Sequence, residues 1–130
     1  MPGALKPGAV IFAKDLERLA RFYERLLTFR VSHAEPDHVV LESEAFELVI
    51  HAIPEHIASS IVISEPPEVR EETPIKLFFA VENLAQARAA AAQLGGLLAP
   101  VQREWQGAGF RVCDGHDPEG NVFQLRQSGP

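Results

Sequence analysis

The feature that most constrains the fold of this chain is a repeat, because one pattern of strand and helix occurs twice, 68 residues apart. The first copy, AVIFAKDLERLARFYERLLTF, predicts an apolar strand and an amphipathic helix with Asp15 as its N-cap and an end near Thr28. The second, LFFAVENLAQARAAAAQLGGLL, predicts the same order, with Asn83 as N-cap and a helix over 84–94. The Gly-Gly pair that follows predicts a left-handed helix stop. Two copies of one unit predict a fold of paired modules.

Each copy continues with further strands. DHVVLESEAFELVIH predicts two strands around a Glu-Ser-Glu turn, and GFRVCDGHDPEGNVFQL predicts two strands around DPEGN. An extra strand is expected at 29–32 and at 97–101. We therefore predict an α+β fold, one domain of two tandem βαβββ modules over about 5–63 and 75–127, joined by a Pro- and Glu-rich linker at 64–74. Because neither module covers its sheet alone, the curved mixed sheets are expected to pair and leave a trough, within one chain or across a homodimer.

The charge and cysteine content restrict the partners and the compartment. Twelve Lys and Arg against 18 Asp and Glu give a net charge of −6, and no basic cluster stands beside aromatic residues, so no nucleic-acid binding is expected. The single cysteine, Cys113, allows no intrachain disulfide and is typical of a reducing cytoplasm. The start MPGALKPGAV lacks the features of a secretory signal, and the longest apolar run, LFFAV, is too short to cross a bilayer. We expect a cytoplasmic protein without a membrane partner.

Two motifs resemble the vicinal oxygen chelate superfamily, which includes glyoxalase I, extradiol dioxygenases, fosfomycin-resistance enzymes and bleomycin-resistance binding proteins. KDLERLARFYERLLTF is similar to the family's Asp-Leu-Glu helix with a Phe-Tyr pair, and DPEGNVFQL to its turn into the last strand. In metal-using members the resemblance implies a divalent ion in the trough, at places that here fall on Gly8, Glu47, Lys76 and Gln124. Glycine offers no ligand, an ammonium repels a cation and an amide is a weak ligand. We therefore predict no metal and no cofactor there.

Period-two alternation predicts which side chains face the trough. It lines the trough with apolar side chains and a few polar ones, which is the usual composition of a small-molecule site. Trp105, in the Gly-rich stretch REWQGAGF, is expected either to stack on a ligand as part of a flexible lid or to pack at the sheet edge or at a dimer contact. The predicted ligand-binding residues are Phe12, Glu47, His51, Lys76, Phe78, Trp105 and Gln124.

Three of these residues are candidates for acid/base catalysis: Glu47, His51 and Lys76. An ion pair between Lys76 and Glu47 is one expected arrangement, and a solvated Glu47 with Lys76 reaching out of the trough is the other. His33 and His38 fall in predicted loops or strand ends without metal-like spacing. The acidic cluster DGHDPEG is interpreted as a turn and not as a metal loop.

Two functions stay open. The first is a metal-free binding protein of the bleomycin-resistance type, a homodimer whose trough holds a small cationic or aromatic molecule. The second is an enzyme of the glyoxalase/dioxygenase class, either with a displaced metal site built from Glu47, His51 and Gln124 or with metal-free proton transfer. The missing ligand set favours the first.

Overall fold

The computed structural model describes residues 5–129 and confirms the repeat. The first module is followed by a short helix, α2, and the second contains a 3₁₀ turn at Val101–Arg103. The first module and α2 comprise β1 (Gly8–Ala13), α1 (Leu16–Leu27), β2 (Arg30–Glu35), β3 (His38–Glu42), β4 (Glu47–Ala52) and α2 (Glu55–Ala58). The second comprises β5 (Leu77–Ala80), α3 (Leu84–Gln93), β6 (Leu97–Leu98), β7 (Trp105–Gln106), β8 (Phe110–His116) and β9 (Val122–Ser128).

The strands form two mixed sheets, one in each module. The first has the order β1-β4-β3-β2 and the second the order β5-β9-β8-β6, with β7 paired to β8. In each sheet the first and last strands of the module are parallel neighbours, and the other pairs are antiparallel. The predicted α+β fold of two βαβββ modules is therefore confirmed. Within residues 5–129, the structure has no helix with the length and apolar character needed to cross a membrane.

The ends of the helices follow the local signals of the sequence. Asp15 accepts a hydrogen bond from the backbone N–H of Arg18 at 3.2 Å, and Asn83 accepts one from that of Gln86 at 2.9 Å, so both predicted N-caps are confirmed. Gly95 follows α3 with a φ of +93°. The strand predicted over 97–101 stops at β6, because Pro100 has no N–H for the ladder and a 3₁₀ turn follows it.

The two modules share one hydrophobic core because α1 packs on both sheets. Buried Tyr23 has its ring centroid 6.2 Å from that of Phe79 and 6.0 Å from that of Phe123, both on the second sheet. Phe22 lies 6.0 Å from Phe123 by the same measure. Full burial of each large apolar side chain contributes about 1.5–3 kcal/mol. The core therefore crosses from one module to the other, and each sheet keeps its opposite face open.

The DPEGN turn between β8 and β9 contains a fully buried carboxylate that organises its surroundings. Asp117 accepts hydrogen bonds from the hydroxyl of Tyr23 at 2.6 Å and the side-chain amide of Asn121 at 2.9 Å. It also accepts from the backbone N–H groups of Glu119 at 2.8 Å and Asn121 at 3.1 Å, which confirms the predicted turn. Burial raises the pKa of Asp117 above the ordinary range, although the hydrogen bond from Tyr23 acts to lower it. The turn of the second module is thus bonded to the helix of the first.

The next acidic residue of this turn fixes the start of α1. The carboxylate of Glu119, which is only 5% exposed, accepts from the backbone N–H of Lys14 at 2.9 Å and from that of Asp15 at 2.8 Å. A negative charge at a helix N-terminus is favoured by the helix dipole and by the unpaired N–H groups there. The linker backbone packs on the same turn, because Arg70 N–H donates to the carbonyl of Gly120 at 2.9 Å.

A second charged cluster holds the edge of the second sheet. Glu104, just before β7, accepts hydrogen bonds from Arg88 of α3 and from Arg111 of β8 at 2.6 Å. Burial tends to raise the pKa of Glu104, but the hydrogen bonds from Arg111 and Arg88 and their charges outweigh it, so the pKa lies below the ordinary range. The cluster therefore fastens Trp105, the next residue, to the helix and the sheet.

We expect Tyr23→Phe to destabilise the fold by about 1.5–3 kcal/mol, because it removes a hydrogen bond to a buried charged group and leaves the ring packing intact. Urea unfolding at neutral pH measures this. The control is Ser60→Ala, which removes an exposed hydroxyl and should change stability by less than about 0.5 kcal/mol. Equal stability of the two variants would show that the Tyr23–Asp117 bond does not hold the modules.

We expect Glu104→Gln to cost roughly 1.5–3 kcal/mol at neutral pH, since it removes the charge that accepts from two guanidinium groups. Because the folded pKa of Glu104 is depressed, its contribution is present above the unfolded value of about 4.3 and is lost as the pH falls through the folded value. The stability difference from wild type should therefore shrink on acidification. Urea unfolding of both chains from pH 7 to pH 3 tests this, with exposed Glu44→Gln as the control.

Candidate functional site

The open face of the first sheet carries its side chains in rows across the strands. Phe12 and Val10 on β1 are 60% and 54% exposed there, whereas Leu48 and Ile50 of β4 point to the core and are fully buried. The register of the parallel and antiparallel pairs fixes the members of each row. From one end of the sheet to the other, the rows are Gly8-Glu47-Glu42, Val10-Val49-Val40 and Phe12-His51-His38.

The four places that the family resemblance assigns to a metal do not form a ligand set. A Cβ atom at Gly8 would lie 2.1 Å from the carbonyl oxygen of Glu47, so the backbone there leaves no room for a ligating side chain. The Lys76 ammonium lies 3.5 Å from a carboxylate oxygen of Asp114. The amide oxygen of Gln124 accepts from the guanidinium of Arg126 at 3.3 Å. Glu47 is the one strong ligand of the four, and the residues do not fit a divalent ion at this position.

Two arrangements expected from the sequence are wrong. The ion pairs of residues 5–129 contain none between Lys76 and Glu47, and Lys76 pairs with Asp114 instead. A displaced metal site of Glu47, His51 and Gln124 also fails. Glu47 and His51 are four residues apart on β4, which separates them by about 13 Å, and Gln124 lies on the other sheet.

The parallel strand pairs of the two modules differ in register. In the first module Gly8 is the partner of Glu47, but in the second Gln124 pairs with Phe78. Lys76 precedes the ladder, because β5 begins at Leu77. Lys76 and Gln124, the places that the resemblance matches to Gly8 and Glu47, are therefore not register partners, and the second parallel pair is offset by two residues relative to the first.

The open face of the second sheet presents an arginine between aromatic rings. The Arg126 guanidinium carbon lies 3.7 Å from the ring centroid of Phe78 and 4.9 Å from that of Phe110. This is cation–π geometry, and Phe78 is 57% exposed. The Nε atom of Arg126 is buried and has no hydrogen-bond partner. A charged group is thus held in place with one donor unused.

Lys76 and Trp105, two of the predicted ligand-binding residues, line one cleft of ≈ 660 Å³ on this face. Trp105 belongs to β7, where it pairs with Val112 and is 46% exposed, so it lies at the sheet edge and not on a free loop. Asp114 lines the cleft as well, and its buried Oδ1 atom is the one that lies 3.5 Å from the Lys76 ammonium, with no closer hydrogen bond within residues 5–129. From the sequence, Asp114 was assigned to the DGHDPEG turn. Its register pairing with Gln124 on β9 places it on this open face instead, and that pairing is the signal that could have found it.

A second cleft, of ≈ 620 Å³, separates the β1 edge from the second sheet. Phe12 lines it together with Gly8, Ile75 and Val122. The predicted residues that line neither cleft are Glu47, His51, Phe78 and Gln124. The structure therefore distributes the seven predicted residues over two open faces instead of gathering them around one point.

A histidine pair stands at the hairpin end of the first sheet. His38 and His51 are cross-strand partners, and their rings stack with centroids 5.7 Å apart and an interplanar angle of 9°. Asp37, in the turn before β3, lies 2.8 Å from Nδ1 of His38. Sequence spacing did not indicate this group, because His51 is distant in the chain from Asp37 and His38, and only the register of β3 and β4 joins them.

Known proteins resemble this chain in sequence and in fold. A sequence model of the Glyoxalase-like domain family matches residues 8–126, and no curated protein sequence matches the chain. A glyoxalase/bleomycin resistance protein/dioxygenase family enzyme from Burkholderia phytofirmans is 17% identical with a TM-score of 0.67, over 93% of this chain and 96% of that one. The bleomycin resistance determinant encoded on transposon Tn5 is 18% identical with a TM-score of 0.61, over 96% and 98%.

The fosfomycin resistance protein FosX from Mesorhizobium loti is 16% identical with a TM-score of 0.64, over 98% of this chain and 94% of that one. Identities this low establish a common fold and no more. The family match covers both modules, including the helix and turn motifs that carried the resemblance. This chain therefore belongs to the Glyoxalase-like domain family, within the vicinal oxygen chelate superfamily that its sequence resembles.

Proposed function

We propose that this protein binds a small molecule in its trough, on the open face of the second sheet, without a metal at the family's four positions. The observation that carries the proposal is the Arg126 guanidinium held between the rings of Phe78 and Phe110, with a buried Nε that has no hydrogen-bond partner within residues 5–129. Buried polar atoms in folded proteins are nearly always satisfied, and exceptions call for an explanation such as a binding site. Exposed Phe78 and Trp105 lie on the same face.

The side chains of this face indicate the chemistry of the ligand. The Asp114 carboxylate can accept, the Arg126 guanidinium can donate, and the rings of Phe78 and Trp105 offer surfaces for stacking. The overall charge of −6 favoured a cation, but Lys76 pairs with Asp114 here, and Arg126 adds a second positive charge to the same face. We therefore propose a planar aromatic molecule that carries both a donor and an acceptor.

The names of two similar structures support a small molecule as the ligand class, since they describe resistance to bleomycin and to fosfomycin. The alternative is an enzyme that uses Glu47, His51 or Lys76 for proton transfer. Neither Glu47 nor His51 lines either of the two clefts, and an acid/base couple of any two of these groups would have to meet at one substrate. About 13 Å of strand separates Glu47 from His51, and Lys76 is paired on the second sheet. We therefore favour binding. The cytoplasmic location and the lack of nucleic-acid binding stay predictions from the sequence.

The single tryptophan makes the proposal testable, because Trp105 lies on the same open face as Phe78 and Arg126, and a ligand bound there should quench or shift its fluorescence. We would titrate the protein with a panel of aromatic compounds that are cationic, anionic or contain both donor and acceptor groups. Phe78→Ala and Arg126→Ala should weaken binding of a hit by about 1–3 kcal/mol each, whereas Ile57→Ala and Arg21→Ala, exposed changes outside this face, should not. Equal affinity of all four variants, confirmed by calorimetry, would place the ligand elsewhere.

We also propose that the protein is a homodimer in which a second copy covers part of the open faces. Val10 and Phe12 of the first sheet, and Ile75 beside them across the cleft, are more than half exposed. Contiguous exposed apolar side chains of this kind mark interaction surfaces.

Light scattering should give about twice the chain mass of 14.3 kDa. Phe12→Glu is expected to shift the protein to the monomer, since a buried unpaired carboxylate would oppose association. Val62→Glu, at an 87% exposed position outside the sheets, is the control. A monomeric wild-type chain, or a dimer that Phe12→Glu leaves intact, would contradict this interface.

A further inference from the structure

We infer that Asp37, His38 and His51 form a binding site for a divalent transition metal ion, separate from the family's metal position. Each of the three residues offers one ligand atom, and these atoms all lie within 4.8 Å of one another. The site lies on the first sheet, at the opposite end of β4 from Glu47. The inference does not rest on the proposed function, which concerns the second sheet.

The backbone holds the three residues in a fixed arrangement. His38 and His51 face each other across the β3–β4 ladder, and the stacked rings show that both point to the open face. The carbonyl of Asp37 accepts from the N–H of Ala52 at 2.8 Å, which fastens the hairpin turn to the end of β4. The ligands therefore come from a closed ladder and a tethered turn, and little conformational entropy remains to be lost on binding.

The hydrogen bond made by His51 leaves its other ring nitrogen able to bind a metal. Nδ1 of His51 lies 2.9 Å from the carbonyl oxygen of Ala52, and because a carbonyl only accepts, Nδ1 carries the hydrogen. The lone pair of the neutral ring is then on Nε2, the atom that lies 3.9 Å from Oδ2 of Asp37. A backbone carbonyl on the far nitrogen is the usual outer partner of a metal-bound histidine, since it fixes the tautomer and the ring orientation.

The distances are close to those that an ion would need. Ligand atoms of a tetrahedral zinc site are about 3.3 Å apart, given bond lengths of roughly 2.0–2.2 Å. Oδ1 of Asp37 lies 2.8 Å from Nδ1 of His38, and Oδ2 lies 3.9 Å from Nε2 of His51, so each gap differs from that spacing by about half an ångström. Rotation of the Asp37 side chain, which is 68% exposed, can bring one of these oxygens into position between the two histidines. When the ion binds at Nδ1 of His38 it replaces the hydrogen bond to Asp37, and the ring gives up the Nδ1 proton to solvent and takes one up at Nε2, so it stays neutral.

The donor set selects the class of ion. Two imidazole nitrogens and one carboxylate suit zinc, nickel, cobalt or copper, whereas calcium and magnesium prefer oxygen ligands alone. Three protein ligands on an open sheet face leave a coordination position for water or a small molecule. The ring of Phe12, with its centroid 5.8 Å from that of His51, forms an apolar flank.

The test uses the full chain without a histidine tag, after treatment with a chelator. Titration with Zn²⁺ by calorimetry should give one ion per chain, and titration with Co²⁺ should give visible absorption bands of nitrogen and oxygen coordination. His51→Gln and His38→Gln should each weaken Zn²⁺ binding at least about ten-fold, the loss that follows removal even of an outer partner, and should remove the Co²⁺ bands.

His56→Gln is the matched control, because His56 is exposed on α2 and lies outside the cluster. It should bind both ions like the wild-type chain. Circular dichroism checks that each variant is folded, and Asp37→Asn, a surface change in a turn, gives a second measure if a histidine variant is not. Absence of stoichiometric binding, binding that survives His51→Gln and Asp37→Asn, or binding abolished by Glu47→Gln would each overturn the inference.

Discussion

The architecture depends on one buried hydrogen bond, from the hydroxyl of Tyr23 on the first module's helix to the carboxylate of Asp117 in the second module's turn. A buried carboxylate is costly unless its lone pairs are used, and here the backbone of the turn and Asn121 use the others. Without Tyr23 the turn would keep its shape but lose this attachment to α1. Glu119 adds a second attachment two residues later, at the first turn of the same helix.

This attachment explains why the sites lie where they do. With α1 held against both sheets, the helices and the inner faces of the sheets are occupied by the common core. The outer faces carry the remaining side chains: exposed aromatic rings and an arginine between two of them on one sheet, and a histidine pair on the other. A fold that is stabilised from the inside leaves its outer faces free to differ between family members.

Features set by neighbouring residues were predictable from the sequence. The caps Asp15 and Asn83 and the left-handed stop after α3 depend on a few adjacent positions, and the structure has them as expected. The site was predicted less well, because it depends on register between strands that are distant in the chain. The ion pair expected between Lys76 and Glu47 is instead one between Lys76 and Asp114, and the approach of His38 to His51 follows from a hairpin whose exact pairing no local signal fixes.

The close contact at Gly8 limits the substitutions that this position can accept. Any side chain at that position would press its first carbon against the carbonyl oxygen of Glu47, 2.1 Å away, within a parallel ladder that cannot easily widen. A single substitution to histidine would therefore not by itself create a metal ligand at this position. Strands β1 and β4 would first have to move apart to make room for the side chain.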